Sequence, residues 1–260
     1  MSVLLEERLE DGKIVLLTMN RPEAFNALNT EMARDLYEAM ERWSDEKSVR
    51  VIIVTGAGEK AFCAGGDFKE RNGMTEEQWH QQHRLFQQLA RSFRRCPKPL
   101  IAAVNGFALG GGCELALSCD FVYASKNARF GLPEVTRGII PGIGGTQLIG
   151  RFLPRGMALE MLLTGRHMAA EEALQWGMVN RVVELAELLP TVLETAKVLA
   201  ANSPNAVRMA KRAFVLGIDN PLEEGIEMAL DCYHRAVSHP DRIEGTRSFV
   251  EKRPPQYLDA

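Results

Sequence analysis

Apolar residues in the first half of the chain fall into two patterns, unbroken runs and helical stripes. Ile14–Met19, Arg50–Thr55 and Leu100–Val104 are runs of strand length, and Phe121–Ala124 is a shorter candidate. Runs that are apolar at successive positions predict strands buried on both faces, between layers. Thr30–Asp45 has the helical pattern: Met32, Leu36, Met40 and Trp43 recur at spacings of 4, 4 and 3, which places them on one face. Trp79, Phe86, Leu89, Ala90 and Phe93 form a similar stripe. Alternation of strand and helix on this scale predicts an α/β core of parallel type.

From about Leu185 the pattern is helix after helix. Asn202-Ser203-Pro204 predicts a helix start, with Ser203 as N-cap and Pro204 at the first helical position. Asn220-Pro221-Leu222-Glu223 predicts another, with Asn220 as cap and Glu223 at capping-box spacing. Leu222, Ile226, Ala229 and Tyr233 form the apolar face of that second helix. His239-Pro240 breaks it, and Arg253-Pro254-Pro255 ends the last one. The expected organisation is an α/β core over residues 1–200 and a C-terminal helical region over 201–260. Helical tails of this kind often lie across a neighbouring subunit. There is no internal repeat and no low-complexity linker.

Composition narrows the class. The 260 residues include 31 Lys+Arg and 34 Asp+Glu, a net charge of −3, which argues against binding nucleic acid by phosphate neutralisation. The densest basic runs, Arg91–Arg95 and Arg208–Arg212, read as solvated helix faces. No apolar run approaches the ~20 residues that span a bilayer. The first residues carry Glu6 and Glu7 and lack the layout of a secretory signal. The five cysteines (Cys63, Cys96, Cys113, Cys119, Cys232) include no CxxC pair and are expected to be reduced thiols in a cytoplasmic protein.

Candidate chemistry gathers in three glycine-bearing loops after predicted strands: Ala61–Glu70, Asn105–Glu114, and Phe130–Glu134 continuing to Ile140–Thr146. Loops at this position in α/β proteins are where ligands bind, and glycine lets backbone amides approach a ligand closely. Phosphate-loop chemistry does not fit. Gly56-Ala57-Gly58-Glu59-Lys60 has the wrong spacing, and Gly142-Ile143-Gly144 is followed by Gln147 where a third glycine is needed. The histidines, including His80 and His83, show no zinc-ligand spacing and read as helix residues. There is no GxSxG elbow, and Cys63 and Cys113 read as small core residues.

Glu114 and Glu134 remain. Glu114 follows Gly110-Gly111-Gly112 and precedes Leu115-Ala116-Leu117, a predicted helix start. Unpaired amides at a helix start beside glycine form a seat for an oxyanion. Glu134 follows Pro133 in another of the loops. Two carboxylates at one site divide acid and base work, because burial and mutual repulsion raise at least one pKa. Each glutamate taken alone is equally an ordinary surface or helix-terminal acid, and spacing does not decide between the two.

At these residues the sequence resembles the crotonase superfamily, the enoyl-CoA hydratase/isomerase family. The resemblance rests on four motifs in order: Asn20–Leu28 (NRPEAFNAL), Ala61–Glu70 (AFCAGGDFKE), Asn105–Glu114 (NGFALGGGCE), and Phe130–Glu134 with Gly138–Thr146. The ending Phe249–Pro255 is also similar to the family's C-terminus.

The resemblance implies a spiral of ββα units with a C-terminal helical region, assembled as trimers or dimers of trimers. It implies an acyl-CoA substrate, with no metal and no cofactor apart from the coenzyme A that is part of that substrate. By motif, the two amides that hold the thioester carbonyl fall on Gly66 and Gly111. Gly66 departs from the alanine frequent in the family, which a backbone donor tolerates. Ala24, Ala64 and the loop Gly66-Asp67-Phe68-Lys69 would lie along coenzyme A, with Lys69 either meeting a phosphate or remaining solvated. Gly142 would help to position water.

Both glutamate positions of the family's hydratases are filled, by Glu114 and Glu134. That implies reversible addition of water across a 2,3-double bond conjugated to a thioester. The alternatives are a Δ3-Δ2 double-bond isomerase, or a hydratase of a branched dicarboxylic or aromatic enoyl-CoA. The loop Arg71–Thr75 and the helix after it would line the acyl end, where Met74, Trp79 and Phe86 suggest a largely apolar pocket or plain helix core.

Overall fold

Three of the apolar runs become adjacent strands at the centre of the molecule. The computed structural model describes residues 2–258. Strands β1 (Leu4–Leu9) and β2 (Ile14–Met19) form an antiparallel pair. Helix α1 (Thr30–Asp45) then crosses to β3 (Val51–Gly56), parallel to β2. From there a repeating unit sets in. A long strand is followed by a short strand in a second sheet and then by helix. The first unit is β3, β4 (Ala61–Cys63), α2 (Phe68–Arg71) and α3 (Glu76–Arg95). The second is β5 (Leu100–Val104), β6 (Phe107–Leu109) and α4 (Gly111–Ala116). The third is β7 (Phe121–Ser125), β8 (Arg129–Gly131), α5 (Gly145–Phe152) and α6 (Arg155–Thr164). The chain continues through β9 (His167–Ala169), α7 (Ala170–Gln175), β10 (Arg181–Val183) and α8 (Leu185–Ala201). It ends in α9 (Pro204–Gly217), α10 (Leu222–Val237) and α11 (Asp241–Glu251).

The first sheet runs in the order β1-β2-β3-β5-β7-β10 and the second β4-β6-β8-β9. This is the α/β spiral of ββα units expected from the motifs. The period of two along the central strands decides the layers. Ile52, Val54, Leu100, Ala102 and Val104 face the core shared with α1 and α3. Val51, Ile53, Ile101, Ala103 and Tyr123 face Leu188, Val192 and Ala196 of α8. With both faces covered, the continuous runs carry no polar alternation.

Local signals behave as expected at most ends. Asn29 caps α1, accepting the Met32 amide at 2.9 Å. Thr75 and Gln78 close a reciprocal capping box on α3. Ser203 caps α9, with Pro204 as its first residue. β3 begins at Val51 instead of Arg50, whose guanidinium donates to Ala200 O at 2.9 Å just outside the strand. The α10 start also differs. Pro221 occupies the cap position without a side-chain bond. Asn220 instead turns back and donates to Leu216 O at 2.6 Å, finishing the helix before it. A proline between Asn220 and the new helix leaves the asparagine closer to the carbonyls of the old one.

Candidate active site

The second sheet assembles the site. β4, β6 and β8 are parallel neighbours, so their C-terminal ends deliver three loops to one edge. These are Ala64–Asp67, Gly110–Glu114 and the 3-10 turn Pro133–Arg137. The first two loops touch. A β-carbon placed on Gly65 (φ +91°) would stand 2.9 Å from Leu109 O and 3.3 Å from Gly111 N. Only glycine allows this approach at that φ.

The amide of Gly66 is fixed from both sides. Leu28 N donates to Gly65 O at 2.7 Å, and Asp67 N donates to Leu28 O at 2.9 Å. Gly111 is the first residue of α4, where amides have no partner within the helix. Among the described residues, no acceptor is bonded to the Gly66 or the Gly111 amide.

Glu114 is 2% exposed. Its Oε1 accepts the Ile143 amide at 2.9 Å and the Gly145 amide at 2.6 Å, which ties α4 to the start of α5. Burial pushes its carboxyl above the usual range, opposed by those amides and by the nearby Arg94. Arg94 in turn donates to Ile143 O at 2.9 Å and holds the same loop. Glu134 lies across from it, against Gly110. Its Oε2 is buried and has no hydrogen-bond partner. Burial pushes its carboxyl up to about 7, and the charge of Glu114 adds to the rise.

Glu114, Glu134, Gly66 and Gly111 line a single open cavity of about 1030 Å³, together with Ala64 and Phe68. Gly142 lines it too, with its carbonyl 3.0 Å from His83 Nε2. Three of the expected coenzyme A residues do not line this cavity. Ala24 ends the 3-10 turn Pro22–Ala24 outside the cavity. Lys69 is exposed and does not line it. Asp67 is buried and committed to the fold: it caps α2 through the Lys69 and Glu70 amides and pairs with Arg21 at 2.9 Å.

Trp79 and Phe86 line the cavity, whereas Met74 lines a separate recess with Thr30 and Gln78. Cys63 and Cys113 are buried behind the glycine turns. Burial pushes the Cys63 thiol up to about 12 and that of Cys113 up as well, so neither is a nucleophile near neutral pH. Among the described residues no group of His, Cys, Asp and Glu is arranged to hold a metal ion. Arg71, from the loop expected at the acyl end, lines the cavity, and so do His83, read from the sequence as a helix residue, and Arg137 and His167, which the sequence did not single out.

Comparison with known proteins agrees with this geometry. The enoyl-CoA hydratase/isomerase family model matches residues 10–260. The chain is 40% identical over 252 residues to a short-chain-enoyl-CoA hydratase of Clostridium acetobutylicum, covering 97% of this chain and 95% of that protein. It is 41% identical over 247 residues to an (E)-benzylidenesuccinyl-CoA hydratase of Thauera aromatica, covering 95% and 96%. The crystal structure of an enoyl-CoA hydratase from Bacillus anthracis superposes with a TM-score of 0.96 at 40% identity, over 99% of this chain and 100% of that one.

Proposed function

The chain belongs to the enoyl-CoA hydratase/isomerase family, and from that premise we propose how it acts as an enoyl-CoA hydratase: water adds reversibly and syn across the 2,3-double bond of an enoyl-CoA thioester, with the Gly66 and Gly111 amides as oxyanion hole and Glu114 and Glu134 as the proton-handling pair. The observation that carries this reading is convergence. Two amides free of acceptors and two carboxyls raised by burial face one cavity.

The chemistry follows from those positions. Attack of water oxygen at C3 moves the alkene electron pair towards C2 and places negative charge on the thioester oxygen. Amides already aimed at that oxygen stabilise the enolate without reorganising, and loss of one such donor costs about 2.7–4 kcal/mol of barrier in comparable sites. Glu114, whose Oε1 is held by two amides, takes the proton that water releases. Glu134, with its carboxyl near neutrality, delivers a proton to C2 on the same face. The two share a proton network and titrate as a pair.

Coenzyme A enters this scheme as part of the substrate, with no separate cofactor and no metal. Its pantetheine and adenine would run along Ala24, Ala64 and the Gly66–Lys69 backbone, outward from the oxyanion hole. The proposed assembly is a homotrimer or dimer of trimers. It is supported by exposed apolar side chains on α9, α10 and α11, among them Phe214, Leu222 and Phe249. The proposed compartment is the cytoplasm, supported by five cysteines that are all unpaired. Incubation with crotonyl-CoA tests the activity. Loss of the conjugated-thioester absorbance supports hydration. Conversion of a 3-enoyl-CoA without that loss would assign isomerisation instead.

A further inference from the structure

The cavity contains a cation for which the hydration chemistry has no task. Arg71 ends α2, and its amide donates to Asp67 O at 3.0 Å. Its guanidinium carbon stands 4.4 Å from the centre of the Trp79 ring and 5.0 Å from that of Phe86. Its Nε donates to Gln82 Oε1 at 2.7 Å. That leaves the two terminal nitrogens. Glu70, the adjacent acid, has its Oε2 committed to the Thr30 amide at 2.9 Å and to Gln82 Nε2 at 2.7 Å. Among the described residues, no carboxylate bonds to Arg71 directly, and the charge of Glu70, held on Thr30 and Gln82, acts on it only from a distance.

The location matters as much as the missing partner. Arg71 lines the same cavity as Glu114 and Glu134. Its Nη1 lies 3.0 Å from the point where a β-carbon on Gly66 would stand. The guanidinium therefore borders the turn whose amide faces the thioester oxygen. Trp79, Phe86 and His83 form the wall around it. Burial pulls the guanidinium below its ordinary value, but arginine stays charged at any working pH. A half-buried cation between aromatic rings, with free donors facing a cavity, is a seat for an anion. An alkyl chain would strip water from that charge and return nothing.

We propose that Arg71 is a specificity-determining residue that binds a carboxylate carried on the acyl chain, so that the preferred substrate is the mono-CoA thioester of an unsaturated dicarboxylic acid. This rests on the hydratase reading and narrows its substrate class. The planar guanidinium, held by Gln82 and stacked on Trp79, presents its terminal N–H groups to both oxygens of such a carboxylate.

The test compares two esters of equal chain length, glutaconyl-CoA and pent-2-enoyl-CoA, by kcat/KM for loss of the conjugated absorbance. The wild-type protein is expected to favour glutaconyl-CoA by about tenfold or more, the scale of one charge-assisted pair. In Arg71→Met that ratio is expected to collapse, chiefly through KM for the acidic ester, and Arg71→Lys should keep part of it. Hydration of pent-2-enoyl-CoA by the wild type without preference for glutaconyl-CoA would overturn acid recognition while leaving hydration standing. An Arg71→Met variant that slows both esters alike would also overturn it, because that pattern belongs to a structural or enolate-stabilising role. Turnover of neither ester by the wild type would overturn the hydratase reading, and this inference with it.

Discussion

Glu134 Oε1 lies 3.0 Å from the point where a β-carbon on Gly110 would stand. The residue that caps the helix carrying Glu114 thus lacks a side chain, which makes room for the second glutamate. Gly110 also has φ +53° with ψ −126°, a combination open to glycine and strained for residues with a β-carbon. Gly110→Ala is therefore expected to lower stability by more than about 1 kcal/mol and to push the Glu134 carboxylate out of line. Thermal unfolding should show a modest fall in Tm. Steady-state kinetics should show a much larger fall in kcat than in affinity.

The raised Glu134 carboxyl sets a pH dependence whose sign differs with direction. Hydration needs Glu134 protonated, so its kcat/KM should fall as pH rises through about 7. Dehydration of the 3-hydroxyacyl-CoA needs the same group ionised, so its kcat/KM should fall as pH drops through that value. Because Glu114 adds to the rise, the observed midpoints belong to the pair. Rate profiles in both directions check this, and opposite limbs are the expected outcome.

Glu114 has two roles that substitutions separate. Gln at this position keeps an oxygen that accepts the Ile143 and Gly145 amides, whereas Ala leaves both buried amides unpaired. Glu114→Gln is expected to keep its Tm near that of the wild type while losing most turnover. Glu114→Ala should lose turnover and also about 1–3 kcal/mol of stability. Chemical denaturation of the two variants side by side measures the difference.

The loop after Gly66 makes a further separation. Asp67 caps α2 and pairs with Arg21, so Asp67→Ala should cost about 1–2 kcal/mol and raise KM by loosening the turn that presents the Gly66 amide. Lys69 is exposed, so Lys69→Ala should leave Tm unchanged and alter KM only if the lysine meets a phosphate of coenzyme A. Salt titration of KM distinguishes that contact, because an exposed ion pair is screened.

The elements legible from sequence were those specified locally. Ile14–Met19 and Leu100–Val104 are strands because unbroken apolar runs suit burial on both faces. Ser203-Pro204 opens a helix because its cap and first residue lie side by side in the chain. Asn220 went the other way because two helices compete for it, and its side chain reached the earlier one. The glycine loops and both glutamates were also legible. Their partners were not. Glu114 is held by Ile143 and Gly145 from the start of another helix, a contact that exists only after the second sheet has stacked β4, β6 and β8. The loop that begins at Arg71 was legible as part of the acyl end, but the setting of its guanidinium was not, because that comes from Trp79, Gln82 and Gly66 meeting around it.

The most direct test of the central claim is single-turnover bleaching of crotonyl-CoA by Glu134→Gln, with binding of the ester measured on the same sample. Paired acids acting on a thioester held by backbone amides predict that the ester binds nearly as to the wild type. They also predict that the conjugated absorbance disappears about 10²–10⁴-fold more slowly. Bleaching at the wild-type rate by this variant would contradict the account.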